Sequence, residues 1–169
     1  AAPGPRGIYF WSPPGRGKTF LVDLFFATAG VRGRRLHFHH FMRDVHARLR
    51  RLRRRADPLR TVAEEIAREG RLLCLDELYV GDIADAMILH GLLEALIAQG
   101  VTMVITSNQP PSRLYEGGLQ RERFLPAIAL IERELDVVEV AGPTDYRLRN
   151  LRKAAVYLPS ADPGTPARL

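Results

Sequence analysis

The sequence predicts one α/β domain whose parallel sheet carries helices on both faces, and three observations predict it. Short apolar runs of strand type alternate with longer runs of helical periodicity along most of the chain. A glycine-rich loop, residues 12–19, stands between the first strand and the first helix. An acid pair, Asp76-Glu77, closes a later run of continuous apolar residues. With 169 residues and 46% hydrophobic content, the chain is long enough for one buried core and too short for two.

The elements follow in order. Gly7–Trp11 (GIYFW) is apolar and aromatic between Gly/Pro-rich borders, a buried strand. Residues 18–29 carry Phe20, Leu21, Leu24, Phe25 and Ala27 at helical spacing, and the helix ends near Gly30. Residues 36–41 (LHFHHF) begin with the alternation of a second strand. Met42, Val45, His46 and Leu49 then change to helical spacing and run into the arginines at 50–55. Asp57-Pro58 opens a third helix that stops at Gly70. Residues 72–75 form a central strand and Ile83–Ala98 a long helix ending at Gly100. A strand at 101–106, a helix at 124–134 and a final strand at 136–140 complete the alternation.

Composition excludes several classes of function. The lone Cys74 lies within an apolar run with no partner for a disulfide or a zinc site, which favours a reducing, cytoplasmic compartment. No run approaches the ~20 apolar residues of a membrane span. No Asn-Lys-x-Asp string follows a strand, which argues against a GTPase. The formal charge is +6 and almost all of the basic residues are arginine, the lysines being Lys18 and Lys153. An ammonium is a compact point charge suited to a narrow phosphate pocket, and Lys18 sits where such a pocket is expected.

Ser12-Pro13-Pro14-Gly15-Arg16-Gly17-Lys18-Thr19 matches the phosphate-loop pattern G-x-x-x-x-G-K-[ST] except at its first position, which is Ser12. In such loops the main-chain amides and the helix N-terminus receive the phosphates, the lysine reaches the terminal phosphates and the hydroxyl ligates Mg2+. Those roles fall to residues 12–18 with the adjoining Phe20, to Lys18 and to Thr19. Ser12 accepts a positive φ less readily than Gly, so strain or rearrangement is expected where the loop begins. Asp76 is assigned to Mg2+, and Glu77 to orienting and deprotonating the attacking water. Asn108, at the end of the next strand, is placed to reach the γ-phosphate or that water. An acid pair or a turn asparagine standing alone would be read as a solvated strand end and a turn former; the upstream loop changes both readings.

The strings HFHHFMRDVHARL, DELYVGDIADAMIL, TSNQPPSRLYEGGLQRERFLPAI and TDYRLR resemble the ZapE cell-division ATPase family and its mitochondrial relatives, a branch of the AAA-type ATPases. The likeness spans residues 6–158, the expected ATPase core, and leaves 1–5 and 159–169 as Pro-, Ala- and Gly-rich ends expected to be mobile edges of a longer protein. It implies a three-layer P-loop fold with sheet order 5-1-4-3-2, Mg2+-dependent ATP hydrolysis and a homo-oligomer, with a hexamer among the assemblies it allows. It further implies a link to the FtsZ division ring in bacteria, and in mitochondria to protein quality control. The family pattern assigns an arginine acting across subunits to Arg123 first and Arg121 second, and Arg147 to a weaker role as a phosphate sensor. Ser12-Pro13, Leu78 and Gly81 depart from the family pattern of Gly-Gly, Phe and Thr at these places, and none of them removes a reactive group.

Three further signals receive plainer readings. His37, His39, His40 and His46 read as packed or hydrogen-bonded histidines, because no nearby Cys or carboxylate completes a metal set, although coupling of nucleotide state to the adjacent helix stays open. The arginines of residues 48–55 read first as a solvated helix end. Nucleic acid, a peripheral contact with anionic membrane and an acidic protein rank below that reading, since no aromatics are interleaved. Asp82 reads as a helix cap. The sequence thus predicts an ATPase that remodels a protein partner, with a nucleic-acid-dependent ATPase of helicase-loader type and a nucleotide-sensing module without turnover as alternatives.

Overall fold

The computed structural model describes residues 6–14 and 17–140. Five parallel strands, β1 (Gly7–Trp11), β2 (Gly33–His37), β3 (Leu72–Asp76), β4 (Thr102–Ser107) and β5 (Asp136–Glu139), form one sheet of order β2-β3-β4-β1-β5. Read from the other edge this is 5-1-4-3-2, the order implied by the resemblance. The helices are α1 (Lys18–Thr28), α2 (Phe38–Arg51), α3 (Pro58–Glu69), α4 (Ile83–Ala98) and α5 (Leu125–Glu134).

The pleat explains the two cores. Ile8, Phe10, Leu72, Cys74 and Val104 point to one face of the sheet, where Leu21, Val22 and Phe25 of α1 cover them. Tyr9, Leu73, Leu75, Met103 and Ile105 point to the other face, against Phe41 and Val45 of α2, Val62 and Ile66 of α3, Leu89 and Leu93 of α4, and Ile128 and Ile131 of α5. Each such fully buried side chain contributes about 1.5–3 kcal/mol over an exposed one. Burial also raises the Tyr9 phenol's pKa, while its hydroxyl donates to the main-chain oxygen of Gln109 at 2.8 Å. The Cys74 thiol is pushed up to about 12 by the same effect, which leaves it unreactive at neutral pH. Gly7 opens β1 because a Cβ there would overlap the carbonyl oxygen of Met103 on β4.

The second strand is earlier than the alternation at 36–41 suggests. It occupies Gly33–His37, and α2 begins at Phe38. The physical reason is a cap: Nδ1 of His37 accepts a hydrogen bond from the main-chain N–H of His39 at 3.1 Å, which starts the helix at once. His37 and His39 therefore do not share a strand face. Asp82 caps α4 as expected, its Oδ1 accepting from the N–H of Asp85 at 2.8 Å. Among the described residues no helix is long and apolar enough to cross a membrane.

Candidate functional site

The C-terminal ends of β1, β3 and β4 open onto one edge of the sheet, where α/β folds commonly bind ligands. β1 runs into the loop, and Gly17 at φ 81° supplies the left-handed turn that starts α1. No side chain caps α1 and no acid lies in its first turn, so nothing anionic of its own competes for the helix N-terminus. A cavity of about 170 Å³ is lined by Pro14, Gly17, Lys18 and Thr19 from the loop side and by Glu77, Thr106 and Asn108 from β3 and β4.

Lys18 is only 9% exposed. Its ammonium donates to the main-chain oxygen of Ser12 at 2.7 Å, to Ser12 Oγ at 3.1 Å, to the main-chain oxygen of Pro13 at 3.3 Å and to Asn108 Oδ1 at 3.1 Å. All four acceptors are neutral. Burial lowers the lysine's pKa, and the charge of Glu77 opposes that shift in part. A buried cation held by neutral oxygens beside a helix N-terminus is a donor set that fits a phosphate anion.

Ser12 is buried, and its N–H donates to the main-chain oxygen of Ser107 at 3.2 Å, which extends the β1–β4 ladder. The strain expected at Ser12 is not there. The non-glycine residues with positive φ among those described are Asp57, Glu77, Tyr115 and Gln120. Because Ser12 continues the extended strand, the left-handed geometry falls on Gly17 instead.

Glu77 carries the unusual backbone of the acid pair, at φ 57°. A non-glycine residue in this region costs about 1–3 kcal/mol and persists where its surroundings over-determine it. Here Thr106 Oγ1 accepts from the N–H of Glu77 at 2.9 Å, the N–H of Leu78 donates to the main-chain oxygen of Thr106 at 2.7 Å, and Ser107 Oγ donates to that of Leu78 at 2.9 Å. The turn after β3 is thus pinned to β4, and the Glu77 side chain reaches the cavity.

β2 supplies partners that the sequence reading missed. Arg35 donates from Nε to Asp76 Oδ2 at 2.8 Å and from Nη2 to Oδ1 at 3.3 Å, and also pairs with Asp23 of α1. His37 Nε2 lies 2.9 Å from Glu77 Oε2. Since Nδ1 of His37 accepts the His39 N–H, the proton of the neutral ring belongs on Nε2, which donates to the carboxylate. A strand read as Gly33–His37 would have placed Arg35 and His37 on one face, two residues apart. Thr19 and Asp76 offer a hydroxyl and one carboxylate, the sparse set that Mg2+ accepts while keeping water in its shell. A metal here would share Asp76 with Arg35.

Other assigned residues separate from this cluster. Phe20 is 58% exposed on α1. Arg121 donates to the main-chain oxygens of Ser112 at 2.7 Å and Leu114 at 3.3 Å, while exposed Arg123 donates only to Gln120 Oε1 at 3.0 Å. Neither makes an ion pair with Glu116 or Glu122; Glu116 lies 3.6 Å from Arg113. Gly15, Arg16 and Arg147 lie outside the described residues, as do the ends 1–5 and 159–169.

Comparison with known proteins now decides the family, because the AFG1-like ATPase profile matches residues 2–168. The chain belongs to the AFG1-like ATPase family. It is 49% identical over 165 residues to the cell division protein ZapE of Escherichia coli K12, an alignment covering 97% of this chain and 44% of that protein. It is 41% identical over 172 residues to lactation elevated protein 1 homolog B of Danio rerio, covering 94% and 34%. This AFG1-like chain therefore spans less than half the length of these curated relatives. Among solved structures it is similar to a replication initiator DnaA bound to AMPPCP and single-stranded DNA, with TM-score 0.58, 16% identity and coverage of 89% and 46%. It is also similar to the DnaC helicase loader, with TM-score 0.53, 20% identity and coverage of 80% and 78%. At these identities the structural likeness establishes the P-loop NTPase-like fold alone.

Proposed function

We propose that this AFG1-like chain is the nucleotide-binding core of a Mg2+-dependent ATPase that remodels or regulates a protein partner. The observation that carries the reading is the shared cavity in which Lys18 and Thr19 meet Glu77 and Asn108. Main-chain amides of the loop and the α1 N-terminus bind the phosphates of ATP, with Lys18 turning from its neutral oxygens toward the terminal ones. Thr19 and Asp76 hold Mg2+, which supplies positive charge at the phosphoryl group. Glu77 takes a proton from the attacking water, and Asn108, already bonded to Lys18, orients that water or the γ-phosphate.

Arg123 completes the site of a neighbouring copy in a homo-oligomer. Its guanidinium is exposed, whereas Arg121 is tied to main-chain carbonyls of its own chain, and the apolar Leu119 and Leu125 nearby are 68% and 46% exposed. The name of the E. coli relative supports a division-related partner, and the resemblance narrows it to the FtsZ ring. The test is ATP turnover against protein concentration in the full-length protein. Arg123→Ala is expected to keep nucleotide binding and lose about 10³- to 10⁵-fold in turnover. Mixing it with Lys18→Ala should restore part of the activity, because one interface then joins an intact loop to an intact arginine. Full activity of Arg123→Ala alone would refute the trans assignment, and ATP binding without turnover by the parent oligomer would leave a nucleotide sensor.

A further inference from the structure

The arginines of residues 43–55 divide into two groups. Arg48 is consumed inside the domain, bonded to Asp44 at 3.0 Å, Glu65 at 3.1 Å and Glu69 at 2.7 Å, and Arg51 pairs with Glu65 at 3.2 Å. These bonds tie α2 to α3 and use the acids that α3 presents there. Arg43, Arg50, Arg53, Arg54 and Arg55 are exposed and have no acidic partner among the described residues.

Their placement makes one surface. Arg43 and Arg50 are seven residues apart, two helical turns along the outer side of α2 and about 10 Å, and Arg53, Arg54 and Arg55 continue past the helix end at Arg51. His39, His40, Arg43, Ala47 and Arg50 form one wall of an open cleft of about 850 Å³. The acids of that cleft are already engaged: Asp85 faces His46 at 2.6 Å, Asp44 faces Arg48, and Asp82 caps α4. None of these acids pairs with an arginine of the stripe, and Arg53, Arg54 and Arg55 lie outside the cleft, so the positive charge is concentrated past the end of α2.

The chemistry of the stripe selects among polyanions. Protein interfaces depend on desolvated apolar or aromatic anchors. Among the described residues the large exposed hydrophobic side chains are Phe20, Leu24, Tyr79, Ile83, Leu119 and Leu125, none of them on α2 or in residues 52–56. A membrane-surface helix needs a free apolar face, but Phe38, Phe41, Met42 and Val45 of α2 are each at most 1% exposed in the core. Sequence-tolerant binding of single strands rests mainly on stacking on Phe, Tyr or Trp, and the stripe has none of these, its exposed rings being the imidazoles of His39 and His40. What remains is contact by charge alone, and arginine forks match phosphate oxygens bidentately.

We propose that the outer face of α2 and the turn after it bind the phosphate backbone of a double-stranded nucleic acid without reading its sequence. The surface is separate from the nucleotide cavity, so its test does not depend on hydrolysis. Fluorescence anisotropy of a labelled 20-base-pair DNA duplex, titrated with the whole chain, should give micromolar affinity at moderate salt, with log K falling against log salt at about −0.9 per neutralised phosphate. Arg43→Ala/Arg50→Ala/Arg54→Ala should weaken binding and make that slope shallower by about 2.7, while the same three positions as Lys should keep it. Circular dichroism of both variants guards against misfolding. An absence of duplex binding at ~50 mM salt, or an alanine variant with unchanged affinity and slope, would overturn the proposal. Binding that is lost in the variant only for phosphatidylserine vesicles or poly-glutamate, with no duplex binding, would also overturn it.

Discussion

The two halves of the proposed nucleotide cavity are built differently. On the loop side, everything that fixes Lys18 lies within six residues of it except Asn108, and the acceptors are neutral oxygens. On the acid side, Asp76 and Glu77 are held from both flanking strands: Arg35 and His37 of β2 take the carboxylates, and Thr106 and Ser107 of β4 pin the turn. The difference teaches where each half is vulnerable. The loop half can be disabled from within its own motif, whereas the acid half can also be disabled from residues forty positions away.

The largest effect on this comparison is expected from Glu77→Gln, which keeps the shape of the turn and removes the base. ATP binding should survive while single-turnover hydrolysis slows by at least ~10²-fold; equal rates would remove Glu77 from its role. Lys18→Ala strikes the loop half. Losing charge-assisted bonds of about 1.5–3 kcal/mol should raise the ATP dissociation constant roughly 10- to 100-fold, and an unchanged constant in calorimetry would contradict the site.

Arg35→Ala tests whether the acid half depends on β2. The pair is well shielded, with side-chain exposures of 19% and 23%, and removing the guanidinium leaves Asp76 without its bidentate partner. We expect a loss of about 2 kcal/mol, read as a melting temperature lower by about 4–8 °C. Thermal unfolding indistinguishable from the parent would show that β4 alone holds the acids. The smallest effect is pH-dependent. Lys18 titrates below its ordinary 10.5 because burial disfavours the ammonium. Phosphate binds the charged form, so ATP affinity should be intact below the lysine's pKa and fall as pH rises through it. Lys18→Arg, charged throughout, should bind more weakly but lose this pH dependence.

Much of this arrangement was legible in the residues. Ile83–Ala98 is read at its observed bounds because Asp82 announces the cap and Gly100 the stop. The acid pair at the end of an apolar strand and the loop before a helix are contiguous signals, and the structure places Glu77 and the loop residues Pro14, Gly17, Lys18 and Thr19 at one cavity, with Asp76 next to Glu77 at the end of β3. Ser12 misled because the motif asks for glycine there, while the chain meets the geometric demand at Gly17.

By itself, then, the sequence determined what is local: alternation of strands and helices, caps, the phosphate-loop pattern and the positions of Lys18, Thr19, Asp76, Glu77 and Asn108. The sheet order came with the family resemblance and was borne out. Only the tertiary structure decided that β2 ends at His37 and sets His37 and Arg35 on the acids, that Glu77 turns left-handed against Thr106, and which arginines of α2 are spent on α3. Those choices rest on pairing between strands and helices distant in the chain. An edge strand such as Gly-Arg-Arg-Leu-His, with none of its residues fully buried, carries too little apolar alternation to reveal its register before its neighbour is in place.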